Sequence, residues 1–391
     1  MSHGGGSGDG LRVDVFCRVV DNFGDAAVAW RLACALASEQ GFDVRLFIDQ
    51  AAVLAKLVPA VNASGASGRV DGVEIGAIDA PHARPPTLGD VVLETFGCGL
   101  PAFALDMLAD SQKAWINLEY LSAEPWVDGF HGLSSPQRDH LPDRHFFFPG
   151  FTAKTGGLLR EAGLLQQRDA FLRNDEAKDA FWLSLGVLPR IEGEVRISLF
   201  AYAANWDDDW LISLAKVAAL PLHLIVADGV MRDAVVKFCG RGDAGDSATV
   251  GHVTVSVMPF LSQSDFDRLL WACDLNVVRG EDSFVRAQLS GNPMLWDIYP
   301  QSEDAHLKKL DAFLDRYCAG WPDQLMRIQR EASHSLVGRS DSWTEMLLAW
   351  CAWRQELTLV TGEWAKELEM LPELGFSVGQ FARKLLECRP S

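Results

Sequence analysis

The sequence predicts an α/β protein of two domains, each built around a mainly parallel β-sheet. Short apolar runs alternate with helical patterns in two series, separated by a segment bounded by Pro189 and Gly193. Strands that alternate with helices are typical of βαβ units. The length of 391 residues suffices for two domains of ordinary size. We therefore expect two sheets facing each other across a cleft, with ligands near the carboxyl ends of their strands.

The expected domain boundaries follow from these two series. Residues 1–10 are rich in glycine and contain no apolar core, so we expect a flexible leader or tag rather than a signal peptide. The first domain is expected at residues 11–188 and the second at residues 189–370. A C-terminal helix, at about residues 371–391, is expected to pack back on the first domain.

Hydrophobic periodicity predicts the individual elements. The expected strands are Leu11–Phe16, Asp43–Ile48, Val73–Ile78, Asp90–Glu94, Ala114–Leu118, Val195–Ala201, Leu222–Ala227, Val253–Val257, Leu275–Val278 and Met294–Ile298. The expected helices are Ala26–Ser38, Pro101–Leu108, Leu158–Leu185, Trp206–Ala219, Met231–Cys239, Ser264–Ala272, Ser283–Leu289 and Val378–Cys388. Residues 123–157 lack a clear period and are expected to form loops, whereas the chain after Pro300 should be almost entirely helical.

Composition and charge argue against several classes of protein. The hydrophobic content of 48%, with 13 Trp and 21 Phe, favours a packed core over disorder. The net charge of −18 argues against nucleic acid as a general partner, because phosphate contacts require a basic surface. The eight cysteines show no C-x-x-C spacing and no accompanying His cluster, so we expect no metal site and reduced thiols in the cytoplasm. No run of 18 apolar residues is present, so no membrane span is expected.

A charged turn, Arg279–Ser283, lies between an apolar strand and a helix. The first N–H groups of a helix and the positive end of its dipole attract anions, and Arg279 adds a guanidinium suited to phosphate. The turn is therefore a candidate site for the phosphates of a nucleotide-type donor. The alternative is an ordinary helix start, capped by Asp282 or Ser283, with Glu281 complementing the dipole. The turn by itself favours neither interpretation.

A second candidate is the turn Asp21–Asp25, directly after the first strand. Gly24 permits a tight turn, and the two carboxylates could orient or deprotonate a nucleophile. Alternatively, Asp25 caps the helix and Asp21 only shapes the turn. A dinucleotide-binding site is disfavoured, because the turn lacks the G-x-G-x-x-G pattern although Asp49 ends the second strand.

Two further segments could contact a ligand through aromatic rings. Phe200 and Tyr202 end the first strand of the second domain, where they could contact a sugar or simply fill the core. Phe260 follows another strand of that domain and could stack on a base, with Gln263 hydrogen-bonded to the base edge. Alternatively, this second segment is only the start of a helix with a serine cap.

Taken together, these segments resemble the bacterial elongation factor P (EF-P) arginine rhamnosyltransferases over nearly the whole chain after residue 10. The segments that carry the resemblance are Val19–Asp25, Phe200–Tyr202, Phe260–Gln263, Arg279–Phe284 and Trp296–Gln301. The first and fourth are specific in this order and separation, whereas either alone would be weak evidence. The resemblance implies a GT-B glycosyltransferase fold, in which the active site lies between two Rossmann-like domains.

The resemblance also implies the reaction. L-rhamnose would pass from dTDP-β-L-rhamnose to an arginine side chain of EF-P with inversion, without metal or cofactor, in support of translation through polyproline stretches. Asp25 would be the catalytic carboxylate, Asp21 would assist, and Glu281 is a further catalytic candidate. We expect a cytoplasmic monomer whose partners are EF-P and dTDP-rhamnose. The alternatives are a nucleotide-sugar-binding protein without transfer activity and a GT-B enzyme with another donor or acceptor.

The donor site that the resemblance implies lies in the second domain. Its residues would be Phe200, Tyr202, Phe260, Gln263, Arg279, Glu281, Asp282 and Ser283. Phe260 would stack on thymine, and Arg279 would hold the diphosphate together with the helix start. Glu281 would contact the donor sugar or the ribose.

Overall fold

The computed structural model describes residues 10–20, 23–61, 68–79, 87–138, 140–202 and 207–388. These residues form two compact units. The first contains the described chain up to Ala162 and again from Leu371 onward, and the second contains Gly163–Met370. The change from one unit to the other therefore precedes the segment expected to be the linker. The reason is that Phe181 and Trp182 are buried in the core of the second unit.

The described residues of the first unit contain an eight-stranded sheet. Its strands are β1 (Arg12–Cys17), β2 (Asp43–Ile48), β3 (Arg69–Val70), β4 (Val73–Ala77), β5 (Val91–Thr95), β6 (Ala114–Leu118), β7 (Ser134–Ser135) and β8 (Arg144–Phe147). The strand order is β3-β4-β2-β1-β5-β6-β8-β7, with antiparallel pairs only at the two edges. The helices that precede the change of unit are α1 (Phe23–Ser38), α2 (Ala51–Leu57), α3 (Ala102–Leu108) and α4 (Val127–Phe130).

The described residues of the second unit contain a six-stranded sheet. Its strands are β9 (Val195–Leu199), β10 (Leu222–Ala227), β11 (Ser247–Val250), β12 (Val253–Met258), β13 (Leu275–Arg279) and β14 (Met294–Asp297), in the order β11-β12-β10-β9-β13-β14. Its helices are α5 (Leu164–Leu172), α6 (Asp175–Ser184), α7 (Trp210–Val217), α8 (Arg232–Cys239), α9 (Gln263–Ala272), α10 (Asp282–Ser290), α11 (Ala305–Tyr317), α12 (Asp323–Gly338), α13 (Trp343–Ala352) and α14 (Arg354–Glu369). Only the edge strand β11 is antiparallel. Two Rossmann-like domains in one chain confirm the expected GT-B fold class.

The last helix, α15 (Leu374–Glu387), belongs to the first unit. Its apolar residues Val378 and Ala382 are buried in the core that also contains α1. Gly375 lies so close to α1 that an added Cβ would come within 2.9 Å of the Cβ of Ala35. A glycine at this position therefore permits the close packing of the two helices.

Two predictions of secondary structure were wrong. The single helix expected over Leu158–Leu185 is two helices: α5 ends at Leu172 with Arg173 as its C-cap, and Asn174 caps α6 by accepting the N–H of Ala177 at 3.0 Å. The expected loops at residues 123–157 contain α4, β7 and β8. Strand β8 pairs with β6, and that pairing could not be inferred from periodicity in a short aromatic segment.

Each sheet has a topological switch point, where the chain stops adding strands on one side of the sheet and begins adding them on the other. In the first unit β1 leads to β2 on one side and β5 leads to β6 on the other, so the switch lies between β1 and β5. In the second unit it lies between β9 and β13 for the same reason. Connections diverge at such a point and leave a crevice at the carboxyl ends of the strands, where ligands bind in open α/β sheets.

Candidate functional site

The predicted catalytic carboxylate, Asp25, lies at the switch point of the first unit. β1 ends at Cys17 and α1 begins at Phe23, so Asp25 is the third residue of the helix rather than its cap. Asp25 is 3% exposed. Its Oδ2 accepts the N–H of Val20 at 2.8 Å, and its Oδ1 accepts the hydroxyl of Tyr120 at 3.4 Å. A buried carboxylate held in this way keeps a fixed orientation.

Side chains from β1 and from the end of β2 hold the turn that precedes Asp25. The Asp49 Oδ1 accepts the N–H of Val19 at 3.0 Å, and the Gln50 Nε2 donates to the carbonyl of Val19 at 3.0 Å. The thiol of Cys17 donates to the carbonyl of Asp25 at 3.7 Å, and burial raises the pKa of this thiol to about 12. Asp49 thus braces the turn, and Cys17 remains a protonated structural thiol. Asp21, the second predicted carboxylate, lies outside the described residues.

Two aromatic residues beside Asp25, Tyr120 and Phe96, were not predicted from the sequence to belong to the site. Tyr120 follows β6, and its ring stacks on that of Phe96, which follows β5, with centroids 4.3 Å apart and an interplanar angle of 11°. Phe96 has a φ of +58°, which a bulky residue rarely adopts. Its N–H donates to the carbonyl of Leu118 at 2.6 Å. The ends of three adjacent strands, β1, β5 and β6, therefore converge on one carboxylate.

The buried Asn117 and the half-buried Glu119 support the backbone that carries these two rings. The Asn117 Oδ1 accepts the N–H of Gly97 at 3.0 Å, and its amide nitrogen donates to Glu119. Burial raises the pKa of Glu119, which directly precedes Tyr120. Asn117 thereby ties the end of β5 to the end of β6, and fixes the backbone from which the two stacked rings project.

The charged turn Arg279–Ser283 lies at the switch point of the second unit. Arg279 is the last residue of β13, Gly280 has a φ of +64°, and α10 begins at Asp282 with Glu281 as its N-cap. The hydroxyl of Ser283 donates to the carbonyl of Arg279. The N-cap is therefore neither of the residues proposed for it from sequence. All five residues of the turn are half-buried.

Arg279 is oriented by the end of β9. Its Nη1 donates to the carbonyl of Ala201 at 3.2 Å, and its guanidinium carbon lies 5.0 Å from the centre of the Tyr202 ring. Tyr202 is held in turn by Asp297, whose Oδ2 accepts its N–H at 2.8 Å and pairs with Arg339 at 2.7 Å. Asp297 lies in Trp296–Gln301, one of the segments that carry the resemblance, but its role in holding Tyr202 was not predicted. A half-buried guanidinium in this position can bind an anion through its remaining donors.

Phe200 packs into its own unit. Its N–H donates to the carbonyl of Val277 at 2.9 Å, and its ring meets Phe266 edge to face at 4.7 Å. It borders the core cluster that contains Phe181 and Met258. The observed contacts of Phe200 therefore agree with the interpretation that its ring fills the core. A ligand could contact only the part of the ring that these neighbours leave uncovered.

Phe260 and Gln263 follow β12 at the same edge of the sheet, separated from β9 by β10. Phe260 is 49% exposed. Gln263 is the first residue of α9, and Ser262 is the N-cap that accepts the N–H of Asp265 at 3.2 Å. The serine-cap interpretation is thus correct for Ser262, and Phe260 has the exposed surface that stacking on a base would use.

The described residues contain neither a metal-binding cluster nor a membrane-spanning helix. None of their His, Cys, Asp or Glu side chains form a group of three or more that could hold a metal ion. None of the described helices combines the length and apolar character required to cross a membrane.

Comparison with known proteins gave matches over almost the entire chain. A model of the Elongation-Factor P (EF-P) rhamnosyltransferase EarP family matches residues 13–383. A Pseudomonas putida protein named protein-arginine rhamnosyltransferase is 45% identical over 383 residues, which are 95% of this chain and 99% of the relative. A Pseudomonas aeruginosa protein of the same name is 43% identical over 375 residues, covering 94% of this chain and 98% of the relative.

A solved structure is also similar over almost the entire chain. It is described as the structural basis for EarP-mediated arginine glycosylation of translation elongation factor EF-P. The TM-score is 0.67 at 33% sequence identity, and the alignment covers 96% of this chain and 99% of the other.

Proposed function

Because this chain belongs to the EF-P rhamnosyltransferase EarP family, we propose that it transfers L-rhamnose from dTDP-β-L-rhamnose to an arginine side chain of EF-P. Family membership makes it a protein-arginine rhamnosyltransferase and hence a glycosyltransferase. The donor, the acceptor protein and the inverting course are our proposal. The observation that carries it is the buried Asp25 carboxylate, which suits an arginine acceptor in charge and hydrogen-bonding capacity.

Asp25 acts on the acceptor in this proposal. A guanidinium is protonated at neutral pH and is a poor nucleophile. A carboxylate that hydrogen-bonds it can orient one nitrogen and draw positive charge away from that nitrogen. As the new C–N bond forms, the nitrogen becomes acidic and Asp25 accepts its proton. Asp21 is proposed to assist, and its carboxylate would further favour an oxocarbenium-like transition state.

The second unit holds the donor in this proposal. Arg279 and the N-terminal N–H groups of α10, which include those of Asp282 and Ser283, would bind the diphosphate. As the bond from the anomeric carbon to the diphosphate oxygen breaks, these donors stabilise the charge that develops on the leaving group. Each good donor contributes roughly 3 kcal/mol in a site that excludes water. Glu281 would contact the sugar or the ribose, and it remains a further catalytic candidate.

Aromatic residues would hold the base and shape the donor side. Phe260 would stack on thymine, and Gln263 would hydrogen-bond the base edge. Tyr202 contributes by orienting Arg279, and Phe200 would shape the surface behind it. Because the leaving group and the nucleophile use different faces of the anomeric carbon, a single displacement inverts its configuration.

We also propose that the reaction needs no metal ion or cofactor. The charge on the leaving diphosphate would be met by Arg279 and the start of α10 instead. The enzyme is proposed to act as a monomer in the cytoplasm, where a translation factor is available as its acceptor.

The test is to incubate the protein with dTDP-β-L-rhamnose and EF-P in the presence of a chelator, and to measure EF-P by mass spectrometry. We expect one added deoxyhexose on an arginine, and NMR of the product should show the inverted anomeric configuration. EF-P in which that arginine is replaced by lysine is the control acceptor and should stay unmodified. Binding of the donor without any mass change would instead indicate a nucleotide-sugar-binding protein.

A further inference from the structure

We propose that Tyr120 is an acceptor-site residue: its hydroxyl positions the Asp25 carboxylate, and its ring receives the acceptor guanidinium. This inference rests on the proposed function. It adds to that function the residue that orients the carboxylate and helps to select arginine. It is carried by the hydrogen bond between Tyr120 and Asp25 and by the stack of Tyr120 on Phe96.

The two oxygens of Asp25 are engaged from different directions. Oδ2 accepts the N–H of Val20 at 2.8 Å, and Oδ1 accepts the hydroxyl of Tyr120 at 3.4 Å. Together these two donors define the plane of the carboxylate. A carboxylate has about four acceptor positions, and its two oxygens match the forked N–H groups of a guanidinium. The longer bond to Tyr120 is of the kind that shortens when a substrate completes the site.

Phe96 holds the Tyr120 ring in place. The two rings are nearly parallel at 4.3 Å, and Phe96 keeps a φ of +58° that is unfavourable for a bulky residue. Such a conformation persists only where neighbouring contacts impose it. Here the contacts are the bond from the Phe96 N–H to Leu118 and the bond from Gly97 to Asn117. The backbone is thus fixed in an unfavourable conformation that places an aromatic ring under Tyr120.

The ring of Tyr120 also offers a surface to the substrate. Tyr120 is 39% exposed although its hydroxyl reaches a carboxylate that is 3% exposed. A guanidinium is planar, so it can stack on an aromatic face while its N–H groups meet a carboxylate at the edge of that face. A lysine ammonium is a compact point charge and gains less from this arrangement. The pair Tyr120 and Asp25 therefore favours arginine as the acceptor.

Two substitutions separate the two roles. Tyr120→Phe removes only the hydroxyl, so kcat for EF-P should fall roughly tenfold while KM for EF-P stays unchanged. Tyr120→Leu also removes the ring, so KM for EF-P should rise roughly fivefold in addition. The control is Phe130→Leu, because Phe130 is an exposed aromatic residue of the same unit at 52% exposure. This control should keep both parameters of the wild type.

Each outcome decides the inference. Wild-type kcat in Tyr120→Phe overturns the positioning role, and wild-type KM in Tyr120→Leu overturns the guanidinium role. If Tyr120→Leu does not fold by circular dichroism, Tyr120→Met replaces it, because it also lacks the ring and should raise KM in the same way; wild-type KM in that variant overturns the guanidinium role. A wild-type protein that fails to modify EF-P rejects the proposed function itself. Wild-type transfer with unaltered Tyr120 variants rejects this inference alone.

Discussion

The two switch points occupy equivalent positions in their sheets, and the side chains proposed to act there, Asp25 and Arg279, are an acid and a base. In the first unit, Asp25 is almost completely buried and its oxygens are held by a backbone amide and a phenol. In the second, Arg279 is half-buried and is held by a carbonyl and the face of Tyr202. A buried carboxylate is costly to desolvate and is suited to a proton that moves during a reaction. A partly open guanidinium is suited to binding an anion. The same topology thus provides two sites of different function.

The strongest test of this difference is Asp25→Asn. The amide retains the size of the carboxylate but cannot accept the proton, so transfer to EF-P should fall roughly 10²- to 10⁴-fold. The measurement is single-turnover transfer at saturating donor, followed by mass spectrometry. The matched control is Asp110→Asn, because Asp110 is 83% exposed and its φ of +53° is compatible with asparagine. Turnover in Asp25→Asn close to that of the control would remove Asp25 from the reaction.

In the second unit, Arg279→Ala should weaken the binding of dTDP by about 1.5–3 kcal/mol, the range for a hydrogen bond to a charged group. This corresponds to about 10- to 150-fold in Kd. Isothermal titration calorimetry with dTDP gives the value. Arg268→Ala is the control, since Arg268 lies in α9 at 49% side-chain exposure and forms a local ion pair with Asp265, three residues earlier in the same helix. Equal affinity in the two variants would rule out a role for Arg279 in binding the diphosphate.

Much of this comparison could be predicted from the sequence, because a strand, a turn and the next helix form a local pattern. The turns at Asp25 and Arg279 were found in that way. Tyr120 and Phe96 could not be found, because they meet only through the pairing of β5 with β6. Asp297 supports Tyr202 through strand neighbours that are likewise distant in sequence. The helix break at Asn174, in contrast, was a local signal that the sequence already contained.

A smaller effect is expected from Phe260→Ala. Loss of one stacked base should weaken the binding of dTDP by about 1–1.5 kcal/mol, near the lower end of the range for base stacking because the ring is half exposed. The melting temperature should change little for the same reason. Phe376→Ala is a matched control at 51% exposure in the first unit, and it should leave dTDP affinity unchanged. A loss of affinity as large in Phe376→Ala would show that the effect is not specific to the base.

The smallest effect is expected from Glu281→Ala, about 0.5–1 kcal/mol for one hydrogen bond to the donor. Titrations with dTDP-rhamnose and with dTDP distinguish the two contacts proposed for this residue. A contact with the sugar lowers only the first affinity, whereas a contact with the ribose lowers both. If neither affinity changes and transfer to EF-P is also unchanged, Glu281 serves only as the N-cap at the positive end of the α10 dipole.

The separation of tasks between the two switch points is tested most directly by calorimetric titration of dTDP into a double variant, Asp25→Asn with Arg279→Ala. If the first unit supplies the carboxylate and the second binds the donor, the double variant should have the same dTDP affinity as Arg279→Ala alone, because independent sites contribute additively and Asp25 contributes nothing to this binding. A further loss of about tenfold or more on adding Asp25→Asn would contradict this account.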